Sequence, residues 1–258
     1  MSGMKITRAV VPSLFTILNI FCGFRSVVYA AEGDFSLAAL FIMLAATFDV
    51  LDGVMARITR SSSDFGVELD SLSDVVSFGV APSFLVYRAG LQSFGGPGML
   101  ISALPMVFGA IRLARFNAQL VGYDKEFFKG LPIPASAILL AGYVSAYRTG
   151  SAGFGDLEAV LLMAVIVLLS LLMVSAIRYD TFPQFTRRGI KQHPLRFAVG
   201  IAGLTWIVVS HGTAIFPFFV FYTATGPLRY FARFIGQLLH PPSKVESEKE
   251  AEISSLDV

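Results

Sequence analysis

Four aspartates sit where their type and spacing ask for a chemical explanation. Asp49 and Asp52 fall near the end of one long apolar run, and Asp70 and Asp74 near the start of the next. A carboxylate within a bilayer is expensive and faces a cavity or a partner. At about 100° per residue, Asp49, Asp52, Gly53, Ala56 and Arg57 share one helical arc of about 140°. On the following helix Gly66, Asp70 and Asp74 stand at i, i+4 and i+8, again on one face. Asp64 and Glu68 point to the opposite side. The intervening Thr59, Arg60, Ser61, Ser62, Ser63 and Asp64 make a polar turn rich in helix-capping residues. The two helices should therefore pack antiparallel and bring four carboxylates to one mouth. The plainer alternative, solvated loop acids, does not explain this spacing.

Crowded carboxylates repel unless cations neutralise them. Oxygen-only ligands suit Mg²⁺, Mn²⁺ or Ca²⁺, and no histidine or cysteine lies nearby to suggest zinc. Two divalent ions about 3.5–4 Å apart form a clamp for phosphoryl chemistry. Gly53, Ala56 and Gly66 on the acidic face leave room for a bulky ligand, and they also permit close helix packing. Arg57 on the same face can pair with a diphosphate oxygen or snorkel to the interface.

The elements that must hold these residues are membrane helices. Of the 258 residues, 55% are hydrophobic and only 15% charged, where soluble chains carry about 25% charged residues. This excludes a disordered chain, a disulfide scaffold and most soluble enzymes of this length. The net charge of +2 gives no reason to expect a nucleic-acid partner, and the single Cys22 cannot form an internal disulfide. Apolar runs fall at 10–31, 36–57, 70–90, 96–117, 132–149, 157–177, 195–212 and 214–236. Each is read as a helix, because irregular backbone is not satisfied in lipid. The fold expected is an all-α polytopic bundle of about eight spans, or seven if the last two runs form one re-entrant feature.

The cations agree with this layout. With the N-terminus in the cytoplasm, 17 of the 20 Lys and Arg residues fall on the cytoplasmic side; only Arg88 and Arg148 fall outside, and Arg25 lies within a span. By the positive-inside rule both termini are cytoplasmic. Residues 1–239 read as one transmembrane catalytic domain, and residues 240–258 as a polar, acid-rich cytosolic tail. The first apolar run is an uncleaved span rather than a signal peptide.

Residues 49–74 read D-x2-D-G-x2-A-R-x8-G-x3-D-x3-D. This resembles the signature of the CDP-alcohol phosphatidyltransferases at every defining position. The resemblance extends over most of residues 10–135. Pro12 to Phe24 (PSLFTILNIFCGF), Asp70 to Ser83 (DSLSDVVSFGVAPS), Ile111 to Asn117 (IRLARFN) and Lys129 to Ala135 (KGLPIPA) look like the phosphatidylserine synthase branch. Two positions depart: Ser13 stands where asparagine is common, and Arg25 interrupts an apolar stretch.

The resemblance implies transfer of a phosphatidyl group from CDP-diacylglycerol to L-serine, with release of CMP. It implies that Asp49, Asp52 and Asp70 hold two divalent ions, and that Asp74 touches the metals and acts as general base. Gly53, Ala56 and Gly66 would accommodate the cytidine nucleotide with Asp49, Asp52 and Asp70, and Arg57 would hold its phosphates. A homodimer, membrane-lipid partners and placement in the plasma (inner) membrane of a prokaryotic cell are further implications.

Several polar residues keep two readings. Asn19, in the first span, is interhelical glue or part of the polar pocket. Arg112 and Arg115 anchor the fourth span or form a cationic subsite for serine or the lipid phosphate. Lys129 precedes a Pro-containing helix start and can reach the site from its loop. His193, His211 and His240 are scattered, as interfacial residues are. Two rivals remain: the same chemistry on glycerol 3-phosphate, inositol phosphate or choline, and a cation transporter, which would instead place its acids near the bilayer midplane on broken helices.

Overall fold

The computed structural model describes residues 10–59, 64–118, 127–147, 154–180 and 215–239. Helix α1 (Val10–Glu32) turns tightly into α2 (Phe35–Thr59). Then α3 (Asp64–Asp74) passes into a π-helical stretch (Val75–Val80) and α4 (Ala81–Ala89). A short 3₁₀ turn (Leu91–Phe94) leads to α5 (Gly95–Ala118). Strand β1 (Phe127–Lys129), α6 (Ile133–Tyr147), α7 (Asp156–Val174), β2 (Arg178–Asp180) and α8 (Ile215–Leu239) complete the described chain.

Among the described residues, five stretches are long and apolar enough to cross a membrane: Leu14–Glu32, Phe35–Ala56, Phe65–Ala89, Leu91–Ala118 and Asp156–Val174. Helix α6 is apolar but shorter. Five of the expected runs thus appear as candidate spans, and 132–149 and 214–236 as helices. The run at 195–212 lies outside the described residues, as do Arg148, residues 181–214 and the tail at 240–258.

Helix α1 shows how the bundle is built. Leu14, Ile17, Phe21 and Phe24 are exposed along one stripe, while Thr16, Asn19, Cys22, Ser26 and Ala30 are buried on the other. The large apolar side is suited to lipid, and the small and polar side faces protein. Small residues on α2 (Ala38, Ala39, Ala45) let α1 approach closely, and the Ser26 hydroxyl donates to the Ala38 carbonyl at 2.8 Å. Gly33 at φ 86° ends α1, and the Asp34 carboxylate accepts from Leu37 N at 3.0 Å to start α2. Arg88, at the same end, donates to the Ala31 carbonyl at 3.2 Å. Arg25 lies over the Tyr29 ring at 4.3 Å, directed toward the nearer end of its helix.

Helix α6 runs through the middle. Ile133 and residues 135–137 and 139–144 are buried, with α2, α4, α7 and α8 packed around them. One feature departs from an all-helical expectation. β1 and β2 pair antiparallel, with Phe128 opposite Tyr179. Gly130 follows at φ 79°, where a Cβ would meet the Met173 carbonyl oxygen, and its N–H donates to Ile177 O at 2.8 Å. Strands of three residues are too short to leave a period in the sequence.

Candidate active site

Helix α2 supplies Asp49 and Asp52, and α3 supplies Asp70 and Asp74. Asp49, Asp70 and Asp74 each offer a carboxylate oxygen within 4.8 Å of the others. Asp74 is buried and Asp49 and Asp70 are half-buried, so the group has a closed inner end and an accessible outer one. Asp52 stands beside this trio rather than in it. The Thr16 hydroxyl donates to Asp52 Oδ2 at 2.5 Å and turns the carboxylate toward α1. Its other oxygen is buried with no hydrogen-bond partner among the described residues. The expected meeting of four carboxylates is thus three within 4.8 Å of one another and one drawn aside by a hydroxyl. Asp52 still lies within electrostatic reach of Asp49 and Asp70.

The site is closed on one side by α1. The Asn19 amide, fully buried, donates to Asp74 Oδ1 at 3.4 Å. Two hydroxyls on α3 and the π-helical stretch reach back to α1: Ser73 donates to Thr16 O at 3.2 Å and Ser77 to Asn19 O at 2.9 Å. A Cβ on Gly23 would lie 2.7 Å from Ser77 Cα, so only glycine permits this approach. The π-helical stretch begins directly after Asp74, and such insertions frequently mark functional sites. It lets Ser77 and Gly79 face inward: Gly79 sits against Met106 of α5, whose N–H donates to the Ser83 hydroxyl at 3.1 Å beside Pro105.

Arg112 of α5 is 7% exposed, and Asp74 is among the charged groups around it. Arg115 does not join them as a free cation: it donates to the Val174 carbonyl at 3.3 Å, at the end of α7. Asn117 donates to the Ser71 hydroxyl at 3.0 Å and ties α5 to α3. Gly53, Ala56 and Gly66 are half-buried on the two acid-bearing helices. The side chains of Arg57 and Lys129 lie outside what the structure describes. At the ribbon, burial, and next the Tyr222 phenol beside it, push the Tyr179 hydroxyl above its ordinary pKa, so it remains a donor.

An all-oxygen donor set, three carboxylates within 4.8 Å and an unpartnered oxygen on Asp52 fit hard divalent cations. The same set would be strongly repulsive without them. The family model for CDP-alcohol phosphatidyltransferase matches residues 9–177, which span α1 to the end of α7 and include every acid of the site. The chain belongs to the CDP-alcohol phosphatidyltransferase family. It is an enzyme of the transferase class, embedded in a membrane. This membership removes the transporter alternative.

Within the family, the chain is 39% identical over 219 residues to CDP-diacylglycerol–serine O-phosphatidyltransferase of Helicobacter pylori, covering 85% of this chain and 90% of that protein. It is 38% identical over 182 residues to archaetidylserine synthase of Methanothermobacter thermautotrophicus (69% and 73% covered). It is 42% identical over 172 residues to CDP-diacylglycerol–serine O-phosphatidyltransferase of Methanocaldococcus jannaschii (65% and 72%).

Sequence reasoning missed Thr16, Ser73 and Ser77 as parts of the site. Their signal was present: Thr16 and Asn19 lie three apart in an apolar span, as do the inward positions of a helix.

Proposed function

We propose that the chain transfers the phosphatidyl group of CDP-diacylglycerol to the hydroxyl of L-serine, giving phosphatidylserine and CMP. The observation that carries this reading is the carboxylate group of Asp49, Asp70 and Asp74 closed by Asn19, in a family of phosphatidyltransferases. Serine is common to the names of the relatives above, whereas the lipid part differs between them.

In this reading Asp49, Asp52, Asp70 and Asp74 hold two divalent cations, Mg²⁺ or Mn²⁺, with Ca²⁺ a further oxygen-seeking occupant. When bound, these would stabilise charge on the diphosphate and on departing CMP. Asp74 takes the proton of the serine hydroxyl as that oxygen attacks the β-phosphorus, which typically contributes about 10²–10⁴-fold. The new O–P bond forms as the bond to the bridging oxygen breaks, and CMP leaves with that oxygen. Asn19 holds one Asp74 oxygen so that the other is presented to the acceptor. Gly53, Ala56 and Gly66 give the nucleotide room against the helix backbones, and Arg57 binds its phosphates.

The serine carboxylate needs a cation, because burying it unpaired costs several kcal/mol. Arg112 is assigned to it, being buried beside the base. Arg115 and Lys129 are assigned to the rim, where the lipid phosphate would pass.

The same reading makes residues 1–239 one domain of eight spans, with both termini and the site on the cytoplasmic face and residues 240–258 a solvated tail. Serine and CMP then need not cross the membrane, here taken as the inner membrane of a prokaryotic cell. Its partners are CDP-diacylglycerol, serine, CMP, surrounding lipids and a second copy in a homodimer.

The test is CMP release by purified protein given CDP-diacylglycerol, Mg²⁺ or Mn²⁺, and one acceptor at a time. Serine should support release. Release with glycerol 3-phosphate, inositol phosphate or choline, and none with serine, would transfer the assignment to that acceptor.

A further inference from the structure

Asp70 sits on a stretch of α3 that the bundle covers little. Phe65 is 72% exposed and Leu72 62%, and the buried part of the helix begins at Ser73 and Asp74. The Asn19 amide holds Asp74 from α1, one turn beyond Asp70. Beside Asp70 in the chain, Ser71 is half-buried and joins α3 to the last turn of α5. Asn117 Nδ2 donates to Ser71 Oγ at 3.0 Å, and Ser71 Oγ donates to Val67 O at 3.0 Å.

These two bonds orient each other. A hydroxyl has one proton, and Ser71 directs it to Val67, so toward Asn117 its oxygen accepts and the amide turns its NH₂ to α3. The same turn of α5 is tied to α7, because Arg115 donates to the Val174 carbonyl at 3.3 Å. On the far side of α3, Ser73 donates to Thr16 O of α1 at 3.2 Å. At about 100° per residue, Ser71 and Ser73 stand about 160° apart around the helix, with Asp70 and Asp74 in the arc between them. Two ties on nearly opposite sides fix the rotation of α3 and hence the direction of its acidic face.

The acids themselves oppose this rotation. Asp49, Asp70 and Asp74 have carboxylate oxygens within 4.8 Å of one another, and without a cation their repulsion would turn Asp70 outward. A tie that resists the turn keeps the ligands gathered before an ion arrives.

We propose that Asn117 is a positioning residue for the metal site: through Ser71 it sets the rotation of α3 and holds Asp70 beside Asp49 and Asp74. This rests on the reading that these acids bind divalent cations. It gives the end of α5 a part in metal affinity that lies outside the acidic signature on α2 and α3.

The test is Mn²⁺ binding to the purified protein without substrate, followed by the electron paramagnetic resonance signal of free Mn²⁺. Asn117→Ala should raise the Kd for Mn²⁺ about tenfold, the lower end of the scale for a partner that orients metal ligands. Ser71→Ala breaks the same bond from the other helix and should raise it by a similar factor. The double variant should be little weaker than either single one, because both remove one interaction. Excess Mn²⁺ should restore most of the CMP release in each. An unmoved Kd in both single variants would overturn the proposal, and so would effects that multiply in the double variant. Loss of folded protein in both, read from the thermal midpoint in detergent, would also overturn it by marking a packing role. Wild-type protein is titrated alongside. If it does not bind Mn²⁺, the metal reading and this proposal fall together, whereas wild-type binding with unmoved variants defeats the role of Asn117 alone.

Discussion

The Asn19 side-chain amide donates to Asp74 Oδ1 across 3.4 Å, joining the first span to the acid at the end of α3. The same asparagine accepts from the Ser77 hydroxyl through its backbone carbonyl at 2.9 Å. One residue thus sets both the distance between two helices and the orientation of a carboxylate. Removing the amide leaves Asp74 buried and free to turn. Asn19→Ala should lower kcat for CMP release by about 10–100-fold, the usual scale for a group that orients a metal-site residue. KM for CDP-diacylglycerol should change little. Steady-state kinetics in both substrates checks this.

Thr16 does for Asp52 what Asn19 does for Asp74. Its hydroxyl holds one carboxylate oxygen, and the other is buried with no hydrogen-bond partner among the described residues. Thr16→Val keeps the shape and deletes the donor. The concentration of Mn²⁺ giving half-maximal activity should rise by about 10–100-fold. Thr16→Ser should behave nearly as wild type. The check is a metal titration at saturating substrates.

The close approach of α1 to the π-helical stretch depends on Gly23. A Cβ there would lie 2.5 Å from Ser77 Oγ and 2.7 Å from Ser77 Cα, and backbone cannot swing aside as a side chain can. Gly23→Ala should destabilise the protein by about 1–3 kcal/mol through overpacking. A lower thermal midpoint in detergent, with loss of Asn19-dependent activity, is the expected outcome.

Much of this site was legible in the sequence because its chemistry is periodic. Asp49 and Asp52 on one arc and Gly66, Asp70 and Asp74 on another follow from helical spacing alone, and the structure puts Asp49, Asp70 and Asp74 together. Asn19 kept two readings, and the structure places its amide across two helices in a hydrogen bond to Asp74. The flanking segments Pro12 to Phe24 and Asp70 to Ser83 resemble the phosphatidylserine synthase branch. The two segments touch each other, through Thr16 with Ser73 and Asn19 with Asp74 and Ser77. Such pairings are not visible in a single sequence, because no local period records which helix lies opposite. The same holds for Arg115, whose bond to the Val174 carbonyl depends on where α7 ends.

Asp74 carries the proposed proton transfer. Asp74→Asn keeps the size of the side chain and a hydrogen-bonding partner for Asn19, but it cannot accept the hydroxyl proton. The kcat should fall by about 10²–10⁴-fold. Full activity in this variant would remove the base assignment. A fall in kcat that excess Mn²⁺ restores would move Asp74 to metal binding alone.

The central claim is that serine becomes esterified to the phosphatidyl group at this site. It is tested most directly by supplying radiolabelled serine and CDP-diacylglycerol to the purified protein with Mg²⁺ or Mn²⁺, and counting label in extracted lipid against CMP released. The account predicts one labelled lipid per CMP, and neither product once a chelator has removed the divalent ions. CMP released without label entering lipid, or label entering lipid in the presence of the chelator, would contradict it.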